Sequence, residues 1–235
     1  MTAGRARYAT LVFDCDGVVL DSNRIKTEAF RATALPWGAA AAEALVAHHI
    51  AHGGVSRHVK FAHFLDHILP EHAPGHAQEA GRAAALEGLL AAYGRAVQAG
   101  LMACAVAEGL DALRAATPGA RWLIVSGGDQ AELRALFAAR GLARHFDGGI
   151  FGSPDNKDSI LAREQAAGTI RGPALFLGDS RYDHEAASRA GLDFVFVSDW
   201  SEFAGWPDHV RRHGLAVVPN LAALLDSTAA GGTAR

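Results

Sequence analysis

Residues 10–22 read TLVFDCDGVVLDS. The run Thr10–Phe13 is short and apolar enough for a buried strand. Asp14 and Asp16 stand at its end, where burying unpaired carboxylates costs several kcal/mol. Either the two acids sit in a surface turn or something cationic compensates them. The rest of the chain decides between these readings.

Five further runs have the same character: WLIV (122–125), GGIFG (148–152), ALFLG (174–178), FVFV (194–197) and LAVV (215–218). Each is bounded by Gly, Asp, Ser or Pro and reads as a buried strand. Helical patterns lie between them at 131–142, 156–168 and 183–190. Gly141, Gly168 and Gly191 stand where helices stop, and Asn156 where one starts. This alternation predicts an α/β fold, a Rossmann-like doubly wound parallel sheet.

Residues 22–105 break the rhythm. Helices are expected near 23–34, 39–52, 56–69 and 76–99, with turns at Gly53-Gly54 and from Pro70 to Gly75. This stretch reads as an inserted all-helical cap domain. The expected division is a core of 1–20 and 106–227, a cap of 21–105 and a flexible tail of 228–235. Asp21-Ser22 suits the N-cap of the first cap helix.

The 235-residue chain has a formal net charge of −3, half its residues hydrophobic and a fifth charged. With a pI near 6.4 it lacks the basic footprint of a nucleic-acid binder. Cys15 and Cys104 fit no CxxC spacing, so neither a disulfide framework nor a thiolate zinc site is expected, and the setting reads as cytoplasmic. The N-terminal residues before Asp14 hold no apolar run long enough for a signal peptide or a membrane span. Strand alternation turns Cys15 away from its acidic neighbours, as a buried filler.

Four stretches each follow an expected strand: Asp14/Asp16, Ser126, Lys157 and Asp179/Asp183. Ligands of open parallel sheets sit outside the carboxyl ends of the strands, so these distant residues can share one crevice. Clustered carboxylates repel unless a cation joins them, and Mg²⁺ prefers oxygen donors. A lysine, a serine hydroxyl and the Gly127 and Gly128 amides suit phosphoryl oxygens. One Asp can act as nucleophile and a second, two residues on, as acid and base.

In order and spacing, DCDGVVLDS, VSGG, Lys157 and GDSRYD resemble the four motifs of the haloacid dehalogenase superfamily of phosphohydrolases, over residues 10–200. The insertion resembles the helical cap of phosphoglycolate phosphatase and beta-phosphoglucomutase. The resemblance implies Asp14 as nucleophile and Mg²⁺ ligand, and Asp16 as acid/base with its backbone carbonyl on the metal. It implies Ser126 on the phosphoryl group, Lys157 holding nucleophile and phosphoryl charge, Asp179 on Mg²⁺, and Asp183 supporting the metal waters or the lysine. Asp16 argues against the dehalogenases and phosphonatases of the superfamily, which lack that acid. Many relatives carry Pro after the motif lysine. Here Asp158 follows, so Lys60 stands as the alternative lysine.

The reading is a Mg²⁺-dependent phosphomonoesterase acting on a small phosphorylated metabolite through an aspartyl-phosphate. A phosphosugar mutase and a non-catalytic phospho-acceptor module are the alternatives. VVLDSNRIKTEAF, GGVSRHVKF and VSGGDQAELR are also similar to phosphatase-like proteins encoded near surface-polysaccharide biosynthesis functions, which implies a sugar or sugar-acid phosphate. No nucleic-acid or membrane partner is expected, and the chain reads as monomer or homodimer.

Within the cap, Gly54 lets a loop approach a ligand closely, Ser56 can cap the next helix, and Arg57 and Lys60 can share a face that reads the leaving group. Eight of the twelve histidines lie between His48 and His76. His48/His52 and His63/His67 have i, i+4 spacing, but no Glu or Cys pattern accompanies them. They read as solvated or partly buried helix residues.

Overall fold

The computed structural model describes residues 8–74 and 81–226. The first strand, β1 (Thr10–Phe13), is buried along its length. A tight turn follows, in which Gly17 N–H donates to the Leu20 carbonyl and Val19 N–H to that of Cys15. Cys15, Val18, Val19 and Leu20 go into the core, while Asp14 and Asp16 both face one cavity. Gly17 has φ +72°, and a Cβ there would lie 2.2 Å from Asp179 Oδ2. Only glycine fits that backbone at that distance.

Among the described residues the insertion then holds five α-helices: α1 (Asn23–Ala34), α2 (Ala39–Ala51), α3 (Arg57–His63), α4 (Leu69–His72) and α5 (Arg82–Ala103). They enclose a core of their own, in which Phe30, Leu45, Phe61, Phe64, Tyr93 and Val97 meet. Each fully buried Phe or Leu there contributes about 1.5–3 kcal/mol. The helix expected at 56–69 is broken: Phe64–Ile68 widens to π-helical spacing before α4. Pro70 is the reason. It has no N–H for the Asp66 carbonyl, and its ring crowds that carbonyl, so a regular α-turn cannot continue there. The helix expected at 76–99 begins at Arg82 and runs on to Ala103; residues 75–80 lie outside the described ones.

The chain returns through α6 (Leu110–Ala116), β2 (Arg121–Asp129), α7 (Gln130–Ala139), β3 (Gly149–Ser153) and α8 (Lys157–Ala166). It ends with β4 (Ala174–Gly178), α9 (Arg181–Arg189), β5 (Asp193–Val197), α10 (Trp206–His213), β6 (Ala216–Val218) and α11 (Ala223–Asp226). The six strands pair in the order β3-β2-β1-β4-β5-β6, every pair parallel. All six apolar runs of the sequence are therefore strands of one doubly wound sheet. Leu11, Phe13, Trp122 and Ile124 pack on one face with Leu113 and Phe137. Val12, Leu123, Val125 and Phe176 pack on the other with Ile160 and Ala187. That alternation follows from the period of two along a strand.

The strand order reverses between β1 and β4, which makes the carboxyl ends of these two strands the place for a ligand crevice. Residues 1–7 and 227–235, including the tail expected at 228–235, lie outside the described ones. Among the described residues no helix is long and apolar enough to cross a membrane.

Candidate active site

Asp14 leaves β1 next to Asp179, which leaves β4, and both are buried. Lys157, the first residue of α8, reaches between Asp14 and Asp183. Its Nζ lies 3.0 Å from Asp14 Oδ1 and closer still to Asp183 Oδ1. Asn156 positions it by capping α8, its side chain accepting from Ser159 N–H at 2.8 Å. Asp183 is fixed by a capping box: Ser180 N–H donates to Asp183 Oδ2 at 3.1 Å and Asp183 N–H donates to Ser180 Oγ at 3.2 Å, with Ser180 Oγ also donating to Asp183 Oδ2 at 2.6 Å. Sequence alternation suggested a helix from residue 183; the capping box starts it at Arg181.

Ser126 is expected just after a strand, but β2 extends through it to Asp129, with a register shift beyond Val125. Ser126 is fully buried, and Gly128 N–H donates to its Oγ at 3.1 Å. A Cβ on Gly127 would lie 2.3 Å from the Gly54 carbonyl oxygen. Gly54 in turn sits against Ser180, Tyr182 and Lys157. The loop at Gly53-Gly54 thus lies over the carboxyl ends of the strands. Ser56 caps α3, its Oγ accepting from Val59 N–H at 3.4 Å.

Asp16 holds partners that sequence reasoning missed. Lys26 Nζ donates to Asp16 Oδ2 at 2.5 Å, and Ser22 Oγ donates to Asp16 Oδ1 at 2.6 Å. The Asp21-Ser22 expectation is corrected here: Ser22 occupies the N-cap position but makes no cap hydrogen bond, because its hydroxyl serves a carboxylate instead. Asn23 was missed as well; its Nδ2 donates to Asp179 Oδ2 at 2.7 Å and to the Trp200 carbonyl at 2.8 Å. No local signal pointed to either residue, since packing decides which face of α1 meets the loop after β1.

Electrostatics separate the acids. Burial pushes Asp14 up to about 7 against the pull of Lys157, and burial with Asp183 and Asp14 raises Asp179 well above the carboxylate range. Burial works on Asp16 too, but Lys26 and Ser22 overcome it and hold Asp16 below its ordinary value. Burial opposes the charge on Lys157, yet Asp14 and Asp183 hold its pKa above that of an ordinary lysine. Lys157 contacts Asp14 and Asp183 and Lys26 contacts Asp16, while Asp179 meets the Asn23 amide instead of a lysine. The Asp14, Asp179 and Asp183 oxygens all lie within 4.8 Å of one another. These three buried carboxylates, with Asp14 and Asp179 raised by burial and by their acidic neighbours, form an all-oxygen donor set that fits a hard divalent cation such as Mg²⁺.

The cavity in front of these groups measures about 820 Å³. Arg57 and Lys60 both line it, in different states. Arg57 forms a two-pronged pair with Glu132 of α7, at 2.8 and 2.6 Å, and stacks on Tyr93 with its guanidinium 5.4 Å from the ring centre. Lys60 is only 2% exposed, its Nζ 2.8 Å from His49 Nδ1. Lys157, not Lys60, is the lysine at Asp14. Cys15 points into the core as expected. His48, His52, His63 and His67 form a partly exposed ring stack, with successive centroids 4.1 Å (His52–His48), 3.9 Å (His48–His63) and 4.6 Å (His63–His67) apart.

The haloacid dehalogenase-like hydrolase family model matches residues 8–191. The chain belongs to that hydrolase family. Solved structures similar to it include a predicted phosphoglycolate phosphatase from Haemophilus somnus 129pt, with a TM-score of 0.70, 16% identity, and coverage of 96% of this chain and 100% of that one. A predicted phosphatase from Clostridium acetobutylicum has a TM-score of 0.67, 16% identity, and coverage of 95% and 99%. CbbY from Rhodobacter sphaeroides, solved in complex with phosphate, has a TM-score of 0.62, 20% identity, and coverage of 93% and 99%. No curated protein matches the chain.

Proposed function

We propose that this hydrolase is a phosphomonoesterase acting on a small phosphorylated metabolite, with Asp14 as nucleophile. The carrying observation is the 3.0 Å contact between Lys157 Nζ and Asp14 Oδ1. It joins two stretches 143 positions apart in one buried, anion-ready site. Asp14, Asp179, Asp183 and the Asp16 backbone carbonyl would hold Mg²⁺, which would supply the charge that offsets repulsion between carboxylates and phosphoryl oxygens.

In the first step an Asp14 carboxylate oxygen bonds to phosphorus. The bond from phosphorus to the ester oxygen breaks, and that oxygen takes a proton from Asp16. In the second step Asp16 takes a proton from water as the water oxygen attacks phosphorus. The Asp14 aspartyl-phosphate is hydrolysed, releasing inorganic phosphate and restoring both carboxyl groups. Ser126 Oγ and the Gly127 amide serve the phosphoryl oxygens, and Lys157 holds the nucleophile in line; the Gly128 amide, expected to do the same, instead donates to Ser126 Oγ and orients that hydroxyl. Positioned charge supplies most of the catalysis in phosphoryl transfer. Lys26 favours the charged form of Asp16, so the first step needs that contact to loosen as the anionic phosphoryl group enters.

The helices of residues 21–105 act as a cap over this centre. Gly54 lies against the catalytic strands, and closure of its loop excludes bulk water. The cavity volume suits a metabolite, and Lys60 with Arg57 suits a hydroxyl-rich or anionic leaving group, so a sugar or sugar-acid phosphate is the favoured substrate.

The test is phosphate release from a panel of sugar phosphates, sugar-acid phosphates, phosphoglycolate and nucleotides, with Mg²⁺, with EDTA, and with Asp14→Asn. Metal-dependent release from one subclass, lost in the variant, is expected. Full activity in Asp14→Asn would overturn the assignment of the nucleophile. Turnover only with a bisphosphate activator would show a mutase.

A further inference from the structure

Far from the acids in chemistry, three histidines converge. His184 lies on α9, and His209 and His213 lie one turn apart on α10. One ligand atom from each lies within 4.8 Å of the other two. The ring centroids form a nearly equilateral triangle, 5.0 Å for His184–His209, 4.9 Å for His184–His213 and 4.6 Å for His209–His213. We infer that these three imidazoles form a second metal site, one that takes a borderline divalent cation of the Zn²⁺ class.

The separation of the nitrogens supports this. His209 Nε2 and His184 Nδ1 are 3.1 Å apart. Two imidazole nitrogens bound tetrahedrally to zinc at their usual distance stand about 3.3 Å apart. The pair is thus already close to the edge of a coordination tetrahedron. His209 is buried, His184 half-buried and His213 exposed, so the third ligand can swing in from solvent and a fourth position stays open to water. Phe194 packs at 5.4 Å on His184, and Phe203 at 5.6 Å on His209. These rings hold the imidazoles in place and give the site the apolar surround that strengthens coordination.

The protonation state agrees. Burial and the mutual proximity of the rings hold His184 and His209 below the ordinary histidine range, with Arg181 acting the same way on His209 and Glu185 opposing on both. Neutral imidazoles keep the lone pairs a metal needs. Nitrogen donors alone discriminate against Mg²⁺ and favour Zn²⁺, so this site and the carboxylate set differ in the cation they select.

The site has a mechanical consequence. Residues 198–205 run into α10, and there Ser201 Oγ donates to the Asp179 carbonyl at 2.6 Å and Glu202 accepts from Thr27 Oγ1 at 2.6 Å. A cation joining α10 to α9 braces that loop against both the sheet and the helical layer.

The experiment titrates Zn²⁺ into the untagged full chain against a chromophoric chelator, with Mg²⁺ in excess to occupy the carboxylates. Wild type is expected to take one tight equivalent and to rise in Tm. His213→Ala and His184→Ala are expected to bind about tenfold more weakly or worse, and to lose the Tm rise. His63→Ala, in the four-histidine stack, is expected to behave as wild type. With Co²⁺, wild type should show the visible absorption of a tetrahedral nitrogen site and His213→Ala should not. Equal Zn²⁺ affinity in wild type and His213→Ala, or loss of the tight equivalent only in His63→Ala, would overturn the inference.

Discussion

Lys26 Nζ stands 2.5 Å from Asp16 Oδ2, across the junction between the first helix of the insertion and the turn after β1. The lysine is 14% exposed and the carboxylate 15%. The contact ties the helical layer to the acid that the proposed mechanism uses twice.

A double-mutant cycle of Lys26→Met and Asp16→Asn, followed by urea unfolding, should therefore show coupling. Each single change leaves a partly buried charge alone, and the double change removes both. A coupling energy of about 0.5–3 kcal/mol is expected. Strict additivity would mean that the pair is incidental.

Lys60 makes a prediction in pH. Burial, followed by Lys26, pushes its ammonium down to about 7 from 10.5; Asp16 pulls the other way, Lys157 lowers it further, and Asp14 also opposes. Between these values the unfolded chain binds more protons than the folded one, so this lysine makes stability rise with pH across that window. Below pH 7 its full penalty is present, and above 10.5 it is gone. Lys60→Met should be more stable than wild type in neutral buffer, with the advantage shrinking as pH climbs. The same variant should raise KM for an anionic substrate. A pH-independent difference in unfolding free energy would contradict the assigned environment.

Gly127→Ala should separate the loop from the strands. Its Cβ would meet the Gly54 carbonyl at 2.3 Å, and backbone cannot rotate aside as a long side chain can. Overpacking of this kind typically costs about 1–3 kcal/mol, and displacing the loop should lower kcat/KM by about 100-fold. Thermal melts and phosphate release check both. Wild-type activity would show that the loop plays no part in closure.

Arg57 and Glu132 join α3 to α7, the guanidinium 11% exposed and the carboxylate 50%. Because the carboxylate end remains in water, the pair should add about 1 kcal/mol or less to stability. Its effect should instead be on substrate handling. Arg57→Ala should raise KM for the true substrate more than for a generic aryl phosphate. Glu132→Ala, which frees the guanidinium, should not mimic it. Identical effects of both variants on both substrates would make the pair a structural latch only.

The family and the sheet were legible in the sequence because their signals are local. Short apolar runs bounded by glycines can bury only as strands here, Asn156 sits where its side chain can cap a helix, and DCDG, VSGG and GDSRYD carry their chemistry at fixed short spacing. The helices of the insertion were legible for the same reason, except at Pro70, where a missing donor reshaped the turn. Other features depend on which helix faces align after packing. Lys26 reads as an ordinary helix residue until α1 settles beside Asp16. Ser22 reads as a cap until its hydroxyl meets that carboxylate. Arg57 and Lys60 share a helix face, yet one is paired with Glu132 and the other buried against His49. His184 lies 25 positions from His209, on a separate short helix, and nothing local joins them. Burial, through-space charge and helix orientation are properties of the folded chain, and they decided these partners.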